Sequence, residues 1–478
     1  MADKNIQLMA HLMRRAGFGA TRDELERRAA KGYEETVEEL LNPDFYGIPD
    51  FDLPTLLRYQ PGFTNPGNGG NCSASWLYRM VNTPRPLVEK VTLLWHQVFA
   101  TGIAKVDGPQ MVHQIEMFRQ HGMGSYRNLL LQLSTDPAMI WWLDNQENHK
   151  DSPNENWGRE LLELFSMGQG NYTEEDVKEV ARAFTGWGVA DSISRHCVSP
   201  VAGFPYNRFP WEFEYRAEDH DDGEKLFLGH SGRYNGEDII DLIMKHPATT
   251  RFVARHLYNF FVGDEVQVPS WQDVAPRDPV ALNIIGEAFQ SSNYDIRSTL
   301  RVIFNSDFFK DESNWYTKVK SPIELVANTI RLIDDHGYPK PGLVAIAQHT
   351  EFQGQTILNP PSVEGWHTGQ EWINSGSLVA RINFAADRVG DIDMPGINSI
   401  VQRLSETGDM SSAELVDGCL DLMGPVKLND TTREELIAHV DNDGPVTRGT
   451  TEDEHSVFSR RVCEVLRIIA ATREYQFV

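Results

Sequence analysis

Cysteine is scarce in this chain. Cys72, Cys197, Cys419 and Cys463 are its only four in 478 residues. No two form a C-x-x-C pair, so neither a thiolate zinc ribbon nor a dithiol redox motif is written here, and a chain of this length does not need a disulfide framework. Long apolar runs are also missing. No stretch approaches the roughly 18–20 residues of a membrane span, and the opening MADKNIQLMAHLMRRAGFGAT has no apolar centre of a secretory leader. Read as it stands, the chain is expected to be soluble and cytoplasmic, with export beside a partner or after loss of a leader left open. Positive charge is short as well: 44 Lys and Arg against 69 Asp and Glu give a formal net charge of −25. That argues against a nucleic-acid or anionic-membrane partner, which calls for a basic surface. The G-x-S-x-G elbow, the P-loop and H-E-x-x-H are absent, which sets aside serine hydrolases, P-loop NTPases and zincins. Gly17-Phe18-Gly19 follows a helical pattern rather than a strand, so it is not a dinucleotide fingerprint.

What is present is mostly helix. Apolar residues recur at i, i+3, i+4 and i+7, with Ser, Thr, Asn and Asp caps at the starts and Gly or Pro at the ends. The expected fold class is mainly α: one large multi-helical domain of helix pairs over 1–390, a small β-hairpin near 211–228, and a C-terminal helical subdomain over 391–478. Trp211 to Tyr215 alternates like a strand, and Lys225 to Leu228 is its expected partner. Residues 43–73, rich in Pro, Gly and Asn, read as a long loop, either a lid or a covering segment. Arg14-Arg15, beside the Gly17–Gly19 turn, offers an anion site in principle but reads first as surface ion pairing.

The densest chemistry lies between Asp144 and Trp187. Asn154 is placed to cap a helix over 155–167, Gly168 to Asn171 turn the chain, and Thr173 caps the next helix with Asp176 three residues on. Glu155, Arg159 and Glu163 share one helix face, and Glu160 sits on a neighbouring one. A solvated Glu-Arg-Glu ladder and a buried network lining a cleft both fit this spacing. Asn145, Trp157, Tyr172 and Trp187 supply amides and aromatics for a substrate rim. Elsewhere, His96 is the best single titrating candidate. His220-Asp221 lies in an acidic turn, and the loop 351–375 places Asn359 and Trp366 among carboxylates and amides, as a sugar or peptide rim would. His256 reads as structural. His96, His220 and Glu160 are also the candidate ligands if a divalent metal is the cofactor.

The run PNENWGRELLELFSMGQGNYTEEDVKEVARAFTGW resembles the signature of the bacterial family called domain of unknown function 1800. HLMRRAGFGAT, KVTLLWHQVFAT, HDDGEKLFLG, ATTRFVARHLYNFFV, KSPIELV and NPPSVEGWHTGQEWINSGSLVAR support it, together spanning most of residues 8–388. The resemblance implies a mostly helical fold, and it matches His220 and Asp221 to the family's His-Asp element. Family members often carry a second histidine two residues after the one at 96, where this chain has Val98. The resemblance also implies a partner, a sulfatase-like protein of the domain of unknown function 1501 family. The working expectation is an enzyme acting hydrolytically on a polymer, polysaccharide or peptide. Asn154, Glu155, Arg159, Glu160, Glu163, His96, His220 and Asp221 are its catalytic candidates. The alternative is a non-enzymatic binding or assembly protein acting with that partner.

Overall fold

Three helices are buried on nearly every face, and the rest of the molecule is arranged around them. They span Pro86–Val98, Pro247–Phe261 and Pro322–Ile333. Each begins with proline at its first turn, where a missing N–H costs nothing. A helix apolar all round has to be internal, and amphipathic helices cover these three. The helix Gly108–His121 packs on the first, Pro279–Ser291 on the second, and Ser375–Val389 on the third. The computed structural model describes residues 4–64, 68–190, 211–448 and 451–478, so Cys197 lies outside the described residues. The fold is mainly α, as the periodicity predicts. No described helix is long and apolar enough to cross a membrane.

Helix starts follow their caps. Thr173, Asn235, Ser321, Ser411 and Thr451 each form a reciprocal capping box with the residue three positions on. The caps are local, and Asn235, Asp295 and Ser411 set the starts of the helices Gly236–Lys245, Ile296–Asn305 and Ser412–Leu422.

Two regions differ from the reading of the sequence. The segment 43–73 is not a loop throughout: it holds a helix over Leu53–Tyr59 and the start of a longer one, Gly69–Asn82. Asn68 caps the longer helix despite its glycine start. Its buried face (Trp76, Leu77, Met80, Val81) packs on the helices Leu343–Phe352 and Pro322–Ile333, and that burial outweighs the glycines' poor propensity. The second difference is strand pairing. β2 (Glu212–Tyr215) pairs not with Lys225–Leu228 but antiparallel with β1 (Trp187–Ala190), with Trp187 opposite Tyr215 and Val189 opposite Phe213. β3 (Lys225–Phe227) turns back through Leu228-Gly229, both at positive φ, onto β4 (His230–Gly232). Such a two-residue turn needs the left-handed region at both positions and matches strand twist.

The C-terminal helices do not stand apart from the main body. Glu452–Ala471 lies along Ser375–Val389. The following turn reaches the centre, where the Lys320 amide donates to the Gln476 carbonyl and the Val478 amide to the Lys318 carbonyl.

Candidate functional site

The helix that carries the carboxylates is shorter than its pattern predicts. It runs Asn156–Glu163 and then opens into a wide turn, in which both Leu164 and Phe165 donate to the Glu160 carbonyl. Wide, π-like turns of this kind recur at functional positions. Here the turn swings Leu164 and Phe165 into the core and leaves Glu160 and Glu163 at its rim. Asn154 bonds the Asn156 amide, one position earlier than a simple cap.

Glu160 is the unusual residue. Its carboxyl is partly buried and has no hydrogen-bond or ion-pair partner among the described residues. Burial, the neighbouring Glu163 and, further off, Glu364 push it up to about 7, against the pull of Arg159. Glu163 is tied down instead: it accepts from the Tyr172 hydroxyl at 2.9 Å and from the Gln169 amide. Two neighbouring carboxyls in unlike settings are how acid and base roles separate on one surface. The Tyr172 phenol, in turn, is raised by burial and by its hydrogen bond to Glu163.

The 359–366 loop joins this surface to the helix that carries His96. Glu364 comes from the 359–366 loop. Its neighbour Gly365, at φ 85°, sits so close to the end of the His96 helix that a Cβ would overlap the Gln97 carbonyl oxygen. Trp366 follows and packs edge-on against the His96 ring at 5.2 Å, with Trp76 on another side at 5.5 Å. His96 itself is fully buried, with both ring nitrogens unpartnered, and burial pushes it down to about 3. It is therefore neutral at physiological pH and sealed between two tryptophans.

The His220-Asp221 turn packs elsewhere. His220 is buried, with Nδ1 2.9 Å from the Thr185 carbonyl oxygen, and Asp221 pairs with Arg182 at 2.7 Å. Together they pin the acidic turn to the C-terminal end of the helix Glu174–Ala183. His96, His220 and Glu160 are thus not brought together. Among the described residues no group of three His, Cys, Asp or Glu side chains is placed to hold a metal ion. Glu155 and Arg159 form an exposed network with Glu174 from the next helix, at 3.2 and 2.7 Å, the solvated ladder of the sequence reading but with a different third member.

The expected rim residues are mostly internal. Asn145 donates to the Trp187 carbonyl at 2.8 Å, and the Trp187 indole donates to Asn235 at 2.9 Å. Trp157 and Trp366 are 2% and 3% exposed, so neither offers a stacking surface. Asn359 accepts from the Ala104 amide at 3.1 Å and ties the 359–366 loop to the segment after the His96 helix. Tyr172 and Asn359 are the two that stay half-buried rather than internal. The sequence reading did not single out Glu364, Gln169 or Trp271. Gln169 links Glu163 to Gln272 at 3.2 Å and so to a cleft of about 420 Å³, walled by Trp271, Phe252, Asn283 and Arg251. Glu364 and Gln169 both lie in glycine-containing turns, the one signal that pointed at them. A separate apolar cleft of about 490 Å³ lies under the Leu53–Tyr59 helix, against Trp76 and Arg119.

Comparison with known proteins adds one finding. A family model described as "Protein of unknown function (DUF1800)" matches residues 11–477. No curated protein and no solved structure matches the chain.

Proposed function

We propose that this chain, which belongs to the DUF1800 family over essentially its whole length, uses Glu160 and Glu163 for acid–base hydrolysis of a polymer. The observation that carries the reading is Glu160: an unpaired, partly buried carboxyl poised near neutrality beside a second carboxylate. A carboxyl at about 7 is half protonated at physiological pH and is suited to protonate a leaving oxygen or nitrogen. Glu163, oriented by Tyr172 and Gln169, is placed to take a proton from the attacking water. The Trp271 cleft beyond Gln169 offers the aromatic and amide lining that suits a sugar or peptide chain. His96 serves as packing that fixes Trp366, and through it the Glu364 loop.

The test is product release from a panel of labelled polysaccharides and proteins by the intact chain. Release should fall above pH ~7, as Glu160 loses its proton, and Glu160→Gln should lower it on the order of 100-fold or more. No release from any polymer, or full activity in Glu160→Gln, would sink the reading.

A second reading rests on one observation. The Glu155–Arg159–Glu174 network is exposed and already paired, which suits a docking face for the sulfatase-like partner of the domain of unknown function 1501 family. Co-purification that Arg159→Glu abolishes would favour it.

A further inference from the structure

Arg14, Arg15, Lys320 and Arg381 are each buried, at 7%, 1%, 4% and 0% exposure, and none forms an ion pair among the described residues. They come from distant parts of the chain: the first helix, Lys4–Arg15, the approach to the helix Pro322–Ile333, and the helix Ser375–Val389. The sequence favoured surface ion pairing for Arg14-Arg15, and the fold overturns it by burying both. Each cation makes some contact with backbone. Arg14 Nη1 donates to the Gly424 carbonyl at 2.9 Å and Arg15 Nη2 to that of Asn314 at 3.1 Å. Lys320 Nζ donates to Tyr475 at 2.6 Å and Arg381 Nη2 to Lys320 at 2.8 Å. Arg381 also bonds the Gln476 side chain. Yet Arg14 Nε, Arg15 Nε and Nη1, and Arg381 Nη1 are buried with no acceptor at all.

The carboxylates at hand are engaged elsewhere. Glu324 is bound to Lys90, and Asp264 to Lys318 at 3.0 Å. Burying charge without a counter-charge is among the most costly arrangements in a fold. Burial lowers Arg15 and Arg381 only to about 10, so both stay charged at neutral pH. Lys320 is lowered well below its ordinary value, by burial and then by Arg14 and Arg381.

A small cavity lies against this cluster. It is lined by Arg14, Lys320, Arg331, Tyr316, Tyr475 and Glu474, whose carboxylate accepts from the Asn429 amide at 2.8 Å, and has a volume of about 20 Å³. At roughly 10–15 Å³ per water, that holds one or two waters or a single compact ion. Arg331 is already satisfied by Gly19, Val81 and Glu24. Arg14 and Lys320 are not, and they are the donors with capacity left.

We propose that this cavity binds one compact inorganic oxyanion of the phosphate or sulfate class, held by Arg14 and Lys320 as counter-charge to the buried cationic cluster. Guanidinium forks and ammonium groups are the usual donors to such anions. The bound anion ties the first helix to the C-terminal turn at Tyr475. The site is separate from Glu160 and does not depend on the function proposed above.

The test is equilibrium dialysis of the full chain against radiolabelled inorganic phosphate at fixed ionic strength, with sulfate and chloride as competitors. One saturable site is expected, displaced by sulfate and weakened at least tenfold in Arg14→Gln or Lys320→Met. Arg433→Gln, an exposed residue paired with Asp417, should leave it unchanged. If neither cavity variant folds, the native chain still decides: phosphate and sulfate should raise its Tm saturably, beyond the effect of chloride. Absence of saturable binding by the native chain, or chloride acting as well as phosphate, would overturn the proposal.

Discussion

Glu160 and His96 are opposite cases of one rule: burial penalises the charged form, so an acid moves up and a base moves down. For Glu160, raised to about 7, the folded state holds its proton more tightly than the unfolded chain does. Its contribution to stability is therefore full below the unfolded carboxylate range and is lost as pH rises through about 7. Glu160→Gln should stabilise the protein by about 1–2 kcal/mol at pH 8, discounted for partial exposure, and by nearly nothing at pH 4. Urea unfolding at the two pH values checks this, and an equal effect at both would mean that the carboxyl is not raised. For His96, lowered to about 3, the sign reverses. Stability is complete above about 6.5 and declines as pH falls toward 3, by about 2 kcal/mol at pH 5. His96→Phe should remove that acid sensitivity, so its stability relative to the native chain should rise by about that amount between pH 7 and pH 5. Neither shift was legible from residue type. His96 looked like a titrating group in the sequence, and only its seat between Trp76 and Trp366 makes it inert to protonation near neutrality.

Elements meet through a few tight approaches, and these are where substitutions should act furthest. Gly365 combines φ 85° with the Gln97 carbonyl in the space its Cβ would occupy. Gly365→Ala should cost on the order of 2 kcal/mol or more, since it adds a clash to a conformation that L residues avoid. It should also move Glu364 away from Glu160. A lowered Glu160 pKa, read by carboxyl titration in NMR spectra, would accompany the loss of stability if that loop helps to raise it. The Glu89 cluster makes a second case. Burial would raise this carboxyl, but Arg119, Arg79 and the Trp76 indole outweigh burial and hold it below its ordinary range. Arg119 reaches it from the helix Gly108–His121 at 2.7 Å and Arg79 from Gly69–Asn82 at 2.6 Å. Arg119→Met leaves a buried carboxylate short of a partner and should cost about 3 kcal/mol by chemical unfolding. Substituting a paired surface arginine such as Arg433 should cost under about 1 kcal/mol. The sequence showed Glu89 and Lys90 as neighbours on one helix. It did not show that they face opposite ways, Glu89 toward two arginines and Lys90 toward Glu324.

Across the whole molecule, the last residues act as a fastener. Tyr475 is buried, its carbonyl receives Lys320, and its ring lies 4.2 Å below that ammonium. Tyr475→Ala should cost about 3–4 kcal/mol, as for other buried aromatics. Hydrogen exchange should rise in the helices Pro322–Ile333 and Ser375–Val389 as well as at the terminus. A rise confined to the last residues would mean that the C-terminal helices fold independently of the main body.

Most helices, their caps and the lack of a long apolar helix among the described residues were determined by the sequence alone, because capping and amphipathic periodicity act within three to seven residues of one another. The rest depends on contacts that no local pattern encodes. Strand β2 chose Trp187–Ala190 over the nearer run, and the glycine start of the helix Gly69–Asn82 was overruled by what its far face could bury. Lys90 found its carboxylate 234 residues away, and Arg14 and Lys320, from distant segments, came to line one small cavity. Only the tertiary structure decides such things, since the cost of burying a charge and the gain from pairing it exist only once the distant partners share a low-dielectric interior.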